Sequence, residues 1–192
     1  MRTLGRLAAV ATVAGGVFVV TAAVRDDGSA GPTLRFSQDV PADVRSETEA
    51  TWERFLGVVA DRTACVGDVT VVLERHVEGG DARYVEADAR IEIRIPTTPE
   101  RYRESLAHEL AHHLERTCPA FEELRAALAP ALGQPGQGWS EGATWEEIPS
   151  ERFAEAVVVA VNGSQVRHAD TVVVEPEVVE QLRRWVRAAS DG

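Results

Sequence analysis

The sequence contains no lysine. All 20 basic residues are arginine, and they face 31 acids, so the 192-residue chain carries a net charge of −11. So acidic a chain lacks the basic footprint of a general nucleic-acid binder, and that class is set aside. Cysteine is nearly absent as well. The two present leave a single pairing, Cys65 with Cys118, and no Cys-x-x-Cys redox or zinc motif. There is no phosphate-binding glycine loop, internal repeat or low-complexity tract. What remains, 44% hydrophobic and 27% charged residues, suits one soluble globular domain and is too short for two of ordinary size.

Acidic residues are also missing from the beginning of the chain, where the first is Asp26. Residues 1–25 instead place Arg2, Arg6 and Arg25 around the apolar stretch Leu7–Val24, which ends in the small residues Val20-Thr21-Ala22-Ala23. This is the pattern of an export signal. It is either cleaved after Ala22 or Ala23 or kept as an N-terminal membrane anchor, because residues 7–24 reach the lower limit for spanning a bilayer. Without residues 1–24 the chain has 18 arginines against 31 acids, a net −13. Residues 25–45 are rich in Gly, Pro, Asp and Ser without periodicity and read as a linker, which places the folded domain at 46–192. An exported domain with two cysteines is expected to join them in a disulfide.

Within the domain, Trp52, Phe55, Leu56 and Val59 recur at helical spacing over 46–60. Residues 68–73 and 83–95 have strand composition, and Ile91, Ile93 and Ile95 alternate with Glu92 and Arg94 as in a half-buried strand. Thr98 and Pro99 form a helix start, with Thr98 as N-cap and Pro99 at the first helical position, opening a helix that runs to about Arg116. Further helices are expected over 120–132, 150–161 and from Pro176 onward. The run Val157-Val158-Val159 argues against the third of these, since β-branched residues are poor helix formers. Asn162-Gly163-Ser164 matches a glycosylation acceptor and equally an ordinary helix stop. The fold class is α+β, with strands early and helices late.

The chemistry is concentrated in Glu104–Glu115, ESLAHELAHHLE. His108 and His112 stand at i and i+4 of the expected helix, so both imidazoles aim at one ion. Glu109 lies about 100° around the helix, beside the metal position, where it can take a proton from a water. Zn2+ suits such a site, since it accepts nitrogen and oxygen ligands and keeps one position open for chemistry. His113 faces away and is expected to be a hydrogen-bonded flanking residue. A third ligand is needed, and Glu151 and Glu155, at i and i+4 of the helix SERFAEAV, supply two candidates. One would ligate and the other would receive an imidazole N–H; spacing alone leaves the assignment open.

HELAHH followed by ERFAE resembles the gluzincin type of zinc metallopeptidase, in particular the catalytic region of anthrax lethal factor-like proteins. The resemblance covers residues 104–158. It implies a zincin-like fold, a small and mostly antiparallel sheet followed by the active-site helix and further helices. It also implies that His108, His112 and Glu151 bind zinc, that Glu155 orients a ligand histidine, that Glu109 is the catalytic base, and that a protein or peptide substrate lies along Arg90–Ile95. The similar proteins often carry a tyrosine shortly before the E-x-F-A-E segment, placed to stabilise the tetrahedral intermediate. Here that neighbourhood holds Trp145, which reads with Trp139 as packing around the glycine-rich loop, and Tyr102 and His168 are the candidate substitutes. The expectation is an exported or membrane-tethered zinc metallopeptidase. Its rival is a zincin-like, metal-binding scaffold domain of the cell envelope with weak or no activity.

Overall fold

A computed structural model describes residues 31–37, 39–133, 136–165 and 172–189, all within one compact unit, Gly31–Gly192. The apolar stretch 7–24 and His168 lie outside the described residues. Among the described residues no helix is long and apolar enough to cross a membrane.

The element order is β1 (Leu34–Phe36), α1 (Ala42–Val58), β2 (Val69–Glu74), β3 (Ala82–Val85), β4 (Arg90–Arg94), α2 (Pro99–Thr117), α3 (Phe121–Leu132), α4 (Pro149–Asn162) and α5 (Pro176–Arg187), with short 3-10 turns between several of them. The fold is α+β, as expected. Three expectations need correction. Residues 31–45, read as linker, contribute β1 and the start of α1. β1 pairs with β2, and the Asp68 carboxylate fastens the pair by accepting from the Thr33 backbone N–H at 2.9 Å and from Arg35 at 2.6 Å. The second correction concerns strand direction. The sheet is mixed, in the order β1-β2-β4-β3, with β1–β2 and β2–β4 parallel and only β3–β4 antiparallel.

The strand expected over 83–95 is two strands. A 3-10 turn at Glu86–Asp88 and Ala89 at φ 48 reverse the chain, so β3 folds back on β4. Ile91 and Ile93 point into the core, whereas Glu92 is covered from both sides by Arg83 (2.7 Å) and Arg90 (2.9 Å). The polar face of β4 thus carries a charge ladder in place of bare solvent exposure.

α2 is the central element, packed against β3 and β4 on one side and against α1 and α4 on others. Its start follows the sequence signals: the Thr98 hydroxyl accepts from the Arg101 backbone N–H, and Pro99 occupies the first turn. Leu106, Leu110 and Leu114 form the fully buried stripe. The far end is tied twice. Thr117 donates to Val66 O at 2.7 Å, and Cys118, the residue after the helix, is bonded to Cys65. α4 is helical through Val157–Val159 because Val157 and Val158 are buried there, and that burial outweighs their intrinsic preference. Gly163, at φ 74, takes the left-handed conformation that ends α4.

The disulfide closes a sequence separation of 53 residues. Replacing both cysteines by serine is expected to lower unfolding free energy by about 4 kcal/mol in the chain-entropy model, read from urea unfolding of the two proteins.

Candidate metal site at the α2 and α4 seam

α2 and α4 pack along one another, with fully buried Ala107 and Ala111 on α2 and Ala154 on α4. Small side chains beside the histidines and glutamates let the functional groups of the two helices meet. His108 and His112 from α2 and Glu151 from α4 converge, each offering a ligand atom within 4.8 Å of the others. His108 Nε2 stands 3.0 Å from Glu151 Oε2 and 3.2 Å from His112 Nε2, and His112 Nε2 is 3.5 Å from the same Glu151 oxygen.

These separations test the fit to a metal. Zinc bonds of about 2.0–2.1 Å in a tetrahedron place neighbouring donor atoms about 3.3 Å apart. The three donors already describe one face of such a tetrahedron. Both histidines present Nε2 to the shared centre, which leaves Nδ1 free to be held elsewhere.

Both Nδ1 atoms have carboxylate partners. Glu155 lies 2.9 Å from His108 Nδ1, and Glu115 lies 3.4 Å from His112 Nδ1. Each carboxylate accepts the Nδ1–H, which fixes the tautomer that aims Nε2 at the centre. The two carboxylates are themselves held, Glu115 by the Trp139 indole N–H at 3.2 Å and Glu155 by the Gln165 side-chain amide. The Glu151 and Glu155 alternative left open by spacing is thereby divided: Glu151 faces both Nε2 atoms and Glu155 faces a back nitrogen. Glu115 was not among the residues singled out in the sequence. Its signal is the i,i+3 spacing from His112, which also fits an ordinary surface charge.

The electrostatics follow from burial. Burial would pull His108 and His112 down, but the carboxylates on both ring nitrogens push His108 up to about 10 and His112 up to about 9. Burial would raise Glu151, yet the two imidazoles hold it far below the usual carboxylate range. Glu109 is shifted the other way: desolvation raises it, only partly opposed by the neighbouring histidines and by a hydrogen bond from the Tyr84 backbone N–H. Four carboxylates around two imidazoles leave an excess of negative charge in a mostly dry seam. A divalent cation neutralises such a cluster.

His113 is fully buried, between Tyr84 Oη at 3.2 Å and Gly67 O at 3.5 Å, and burial lowers its pKa. It joins α2 to β3, as a flanking hydrogen-bonded residue should. Tyr102 is not available as a substitute for the missing tyrosine, because it is buried on the other side of α2 with its hydroxyl 2.6 Å from Thr48 Oγ1. Trp139 is a packing residue against Phe121 and Phe153, in agreement with its reading. Trp145 departs from its reading: it is 41% exposed and stacks on His108 with ring centroids 5.9 Å apart. The strand assigned to substrate also changes. Arg90–Arg94 is an interior strand, and the edge beside α2 is β3.

The site opens into a cleft of about 1110 Å³, lined by His108, Glu109, His112 and Glu151 together with Tyr84 and Trp145. Gly138-Trp139-Ser140-Glu141-Gly142 carries the Gly-x-Ser-x-Gly spacing of a nucleophile elbow. It sits between turns, not between a strand and a helix, and among the described residues no histidine is bonded to Ser140, so it lacks the context such an elbow requires.

No protein-family model, curated protein or solved structure matches this chain.

Glu155→Gln and Glu115→Gln are each expected to weaken divalent-metal binding by about 10- to 100-fold while leaving the fold intact, as measured by competition with a chromophoric chelator and by circular dichroism.

Proposed function

We propose that this chain is a zinc-dependent metallopeptidase with a zincin-like domain, cleaving protein or peptide bonds outside the cytoplasm. The observation that carries the reading is the convergence of His108, His112 and Glu151 with Glu109 beside them on an open cleft. Histidine and carboxylate donors in a set of three are the usual holders of a catalytic zinc ion. When bound, zinc supplies Lewis acidity, lowering the pKa of a water toward 7 and polarising the scissile carbonyl.

The chain's own residues do the rest. Glu109, 7% exposed and with its carboxyl raised by burial, takes a proton from the attacking water. The same carboxyl then returns that proton to the leaving amine as the carbon–nitrogen bond breaks. Glu155 and Glu115 keep the two imidazoles in one tautomer throughout. Strand β3, at the sheet edge beside α2, is the edge along which an extended substrate backbone would lie. The Cys65–Cys118 bond supports an oxidising, extracytoplasmic address, with delivery by the export signal or anchor in residues 7–24.

A second reading, a metal-binding scaffold with weak or no hydrolysis, is favoured by one observation. Among the described residues no tyrosine hydroxyl faces the triad: Tyr102 is bonded to Thr48 and Tyr84 to His113.

The purified chain is expected to carry one zinc ion, lost in His108→Ala and Glu151→Ala, by atomic absorption. Glu109→Gln should keep the metal and lose about 10²- to 10⁴-fold in peptide hydrolysis. Full zinc content in His108→Ala would overturn the ligand assignment. A zinc-loaded wild type that cleaves neither unfolded protein nor a peptide library would select the scaffold reading.

A further inference from the structure

A large aromatic ring that stays exposed in a folded domain invites a reason, and Trp145 is one of two large hydrophobic residues exposed among the described residues. Its position is built, not incidental. It stands in a 3-10 turn, Trp145–Glu147, with its carbonyl accepting from the Ile148 N–H at 3.1 Å. The Ala143 N–H donates to the Glu147 carboxylate at 3.2 Å, and the Gln137 amide donates to Glu147 O at 2.9 Å. Gly142 has no room for a side chain, since a Cβ there would lie 2.9 Å from the Ile148 backbone nitrogen. Five residues thus fix one exposed indole over a ligand imidazole.

The two tryptophans of this segment have divided roles. Trp139 donates to Glu115 behind His112, so it supports a ligand from the rear. Trp145 stacks on His108 and lines the cleft together with Ile148. An indole has no acidic group, and its hydrogen-bonding capacity is one N–H donor. What it offers in quantity is apolar area next to the reacting position. The cleft lining also carries Arg83, Arg94, Arg101 and Arg116, each ion-paired to an acid.

We infer that Trp145 and Ile148 form an apolar subsite beside the metal triad, which selects substrates with a leucine-like or aromatic side chain next to the scissile bond. This rests on the peptidase reading for its substrate, but the subsite itself can be probed without turnover. A group held at the triad lies within a side-chain length of the ring stacked on His108, so the residue adjoining the reacting carbonyl meets the indole first. An aliphatic or aromatic side chain there removes apolar surface of both partners from water, whereas a carboxylate would be desolvated beside Glu151 and Glu155.

The test uses the full zinc-loaded chain as wild type, Trp145→Phe and Trp145→Ala, with zinc content measured in each. Leucine hydroxamate and aspartate hydroxamate, which share one metal-binding head, are titrated by calorimetry, and a peptide library is digested and its cleaved bonds mapped. Wild type and Trp145→Phe are expected to bind leucine hydroxamate roughly tenfold more tightly than aspartate hydroxamate, a preference that Trp145→Ala loses at unchanged zinc content. The mapped bonds should show apolar enrichment at one flanking position in the same two proteins only. Preference for the leucine probe without any cleavage would keep the subsite and remove the peptidase reading. Cleavage with identical side-chain preference in all three proteins would keep the peptidase and overturn the subsite. A preference for basic side chains, or a uniform gain of activity in Trp145→Ala, would overturn it too.

Discussion

The structure is organised around the cost of holding charge in the seam between α2 and α4. His108, His112, Glu151 and Glu155 meet there, with Glu109 and Glu115 close by, at positions largely removed from water. Burying ionised groups is unfavourable unless each is paired and hydrogen-bonded. His108, His112, Glu151, Glu155 and Glu115 are each paired there, and those pairs hold only while the two helices keep their relative position. The restraints elsewhere serve that end. Thr98 caps α2 at one end, and Thr117 and the Cys65–Cys118 bond tie it at the other.

The loop that follows α3 extends the same constraint outward. It returns to the site twice, through Trp139 to Glu115 and through Trp145 to His108. Both histidines of the candidate site are therefore braced from outside α2 by an element whose own order depends on side chains such as Gln137 and Glu147. β3 reaches α2 through Tyr84, whose hydroxyl meets His113. α2 is clasped between a strand and a loop, and the cleft runs between them.

How much of this could be read from the sequence depended on whether the determining interaction was local. The limits of α2 followed from Thr98, Pro99 and Cys118-Pro119, all of which act within one turn of the helix end. The Glu151 and Glu155 pair was visible because i and i+4 share a face, but which carboxylate meets which nitrogen depends on how α4 lies across α2. Strand direction was hidden for the same reason. β1 has three residues and no room for periodicity, and its parallel pairing with β2 is set through α1 rather than by any turn. The break between β3 and β4 turned on Ala89, a residue with no special tendency toward positive φ. Val157–Val159 went the other way, where burial against the core overrode local preference. Glu115 and Trp145 were hardest to see, because an isolated glutamate on a helix and a tryptophan in a glycine-rich loop take their meaning only from what packs against them.

In the proposed reaction one residue type performs opposed tasks within this seam, and environment alone separates them. Glu151 lies 3.0 Å from His108 Nε2 and 3.5 Å from His112 Nε2, and the two imidazoles favour its charged form well beyond that of an ordinary carboxylate. Glu109 follows His108 directly in sequence, yet it is turned toward β3, where desolvation dominates and the balance shifts toward the protonated form. A ligand must remain ionised whatever happens around it. A base must give its proton back, which it does most readily when its acid form is not strongly disfavoured. Exchanging the two environments, with the sequence motif unchanged, would leave a carboxylate that binds weakly and a base that does not release. The division of roles is therefore a property of the α2, α4 and β3 packing, and the five-residue motif supplies only the side chains on which that packing acts.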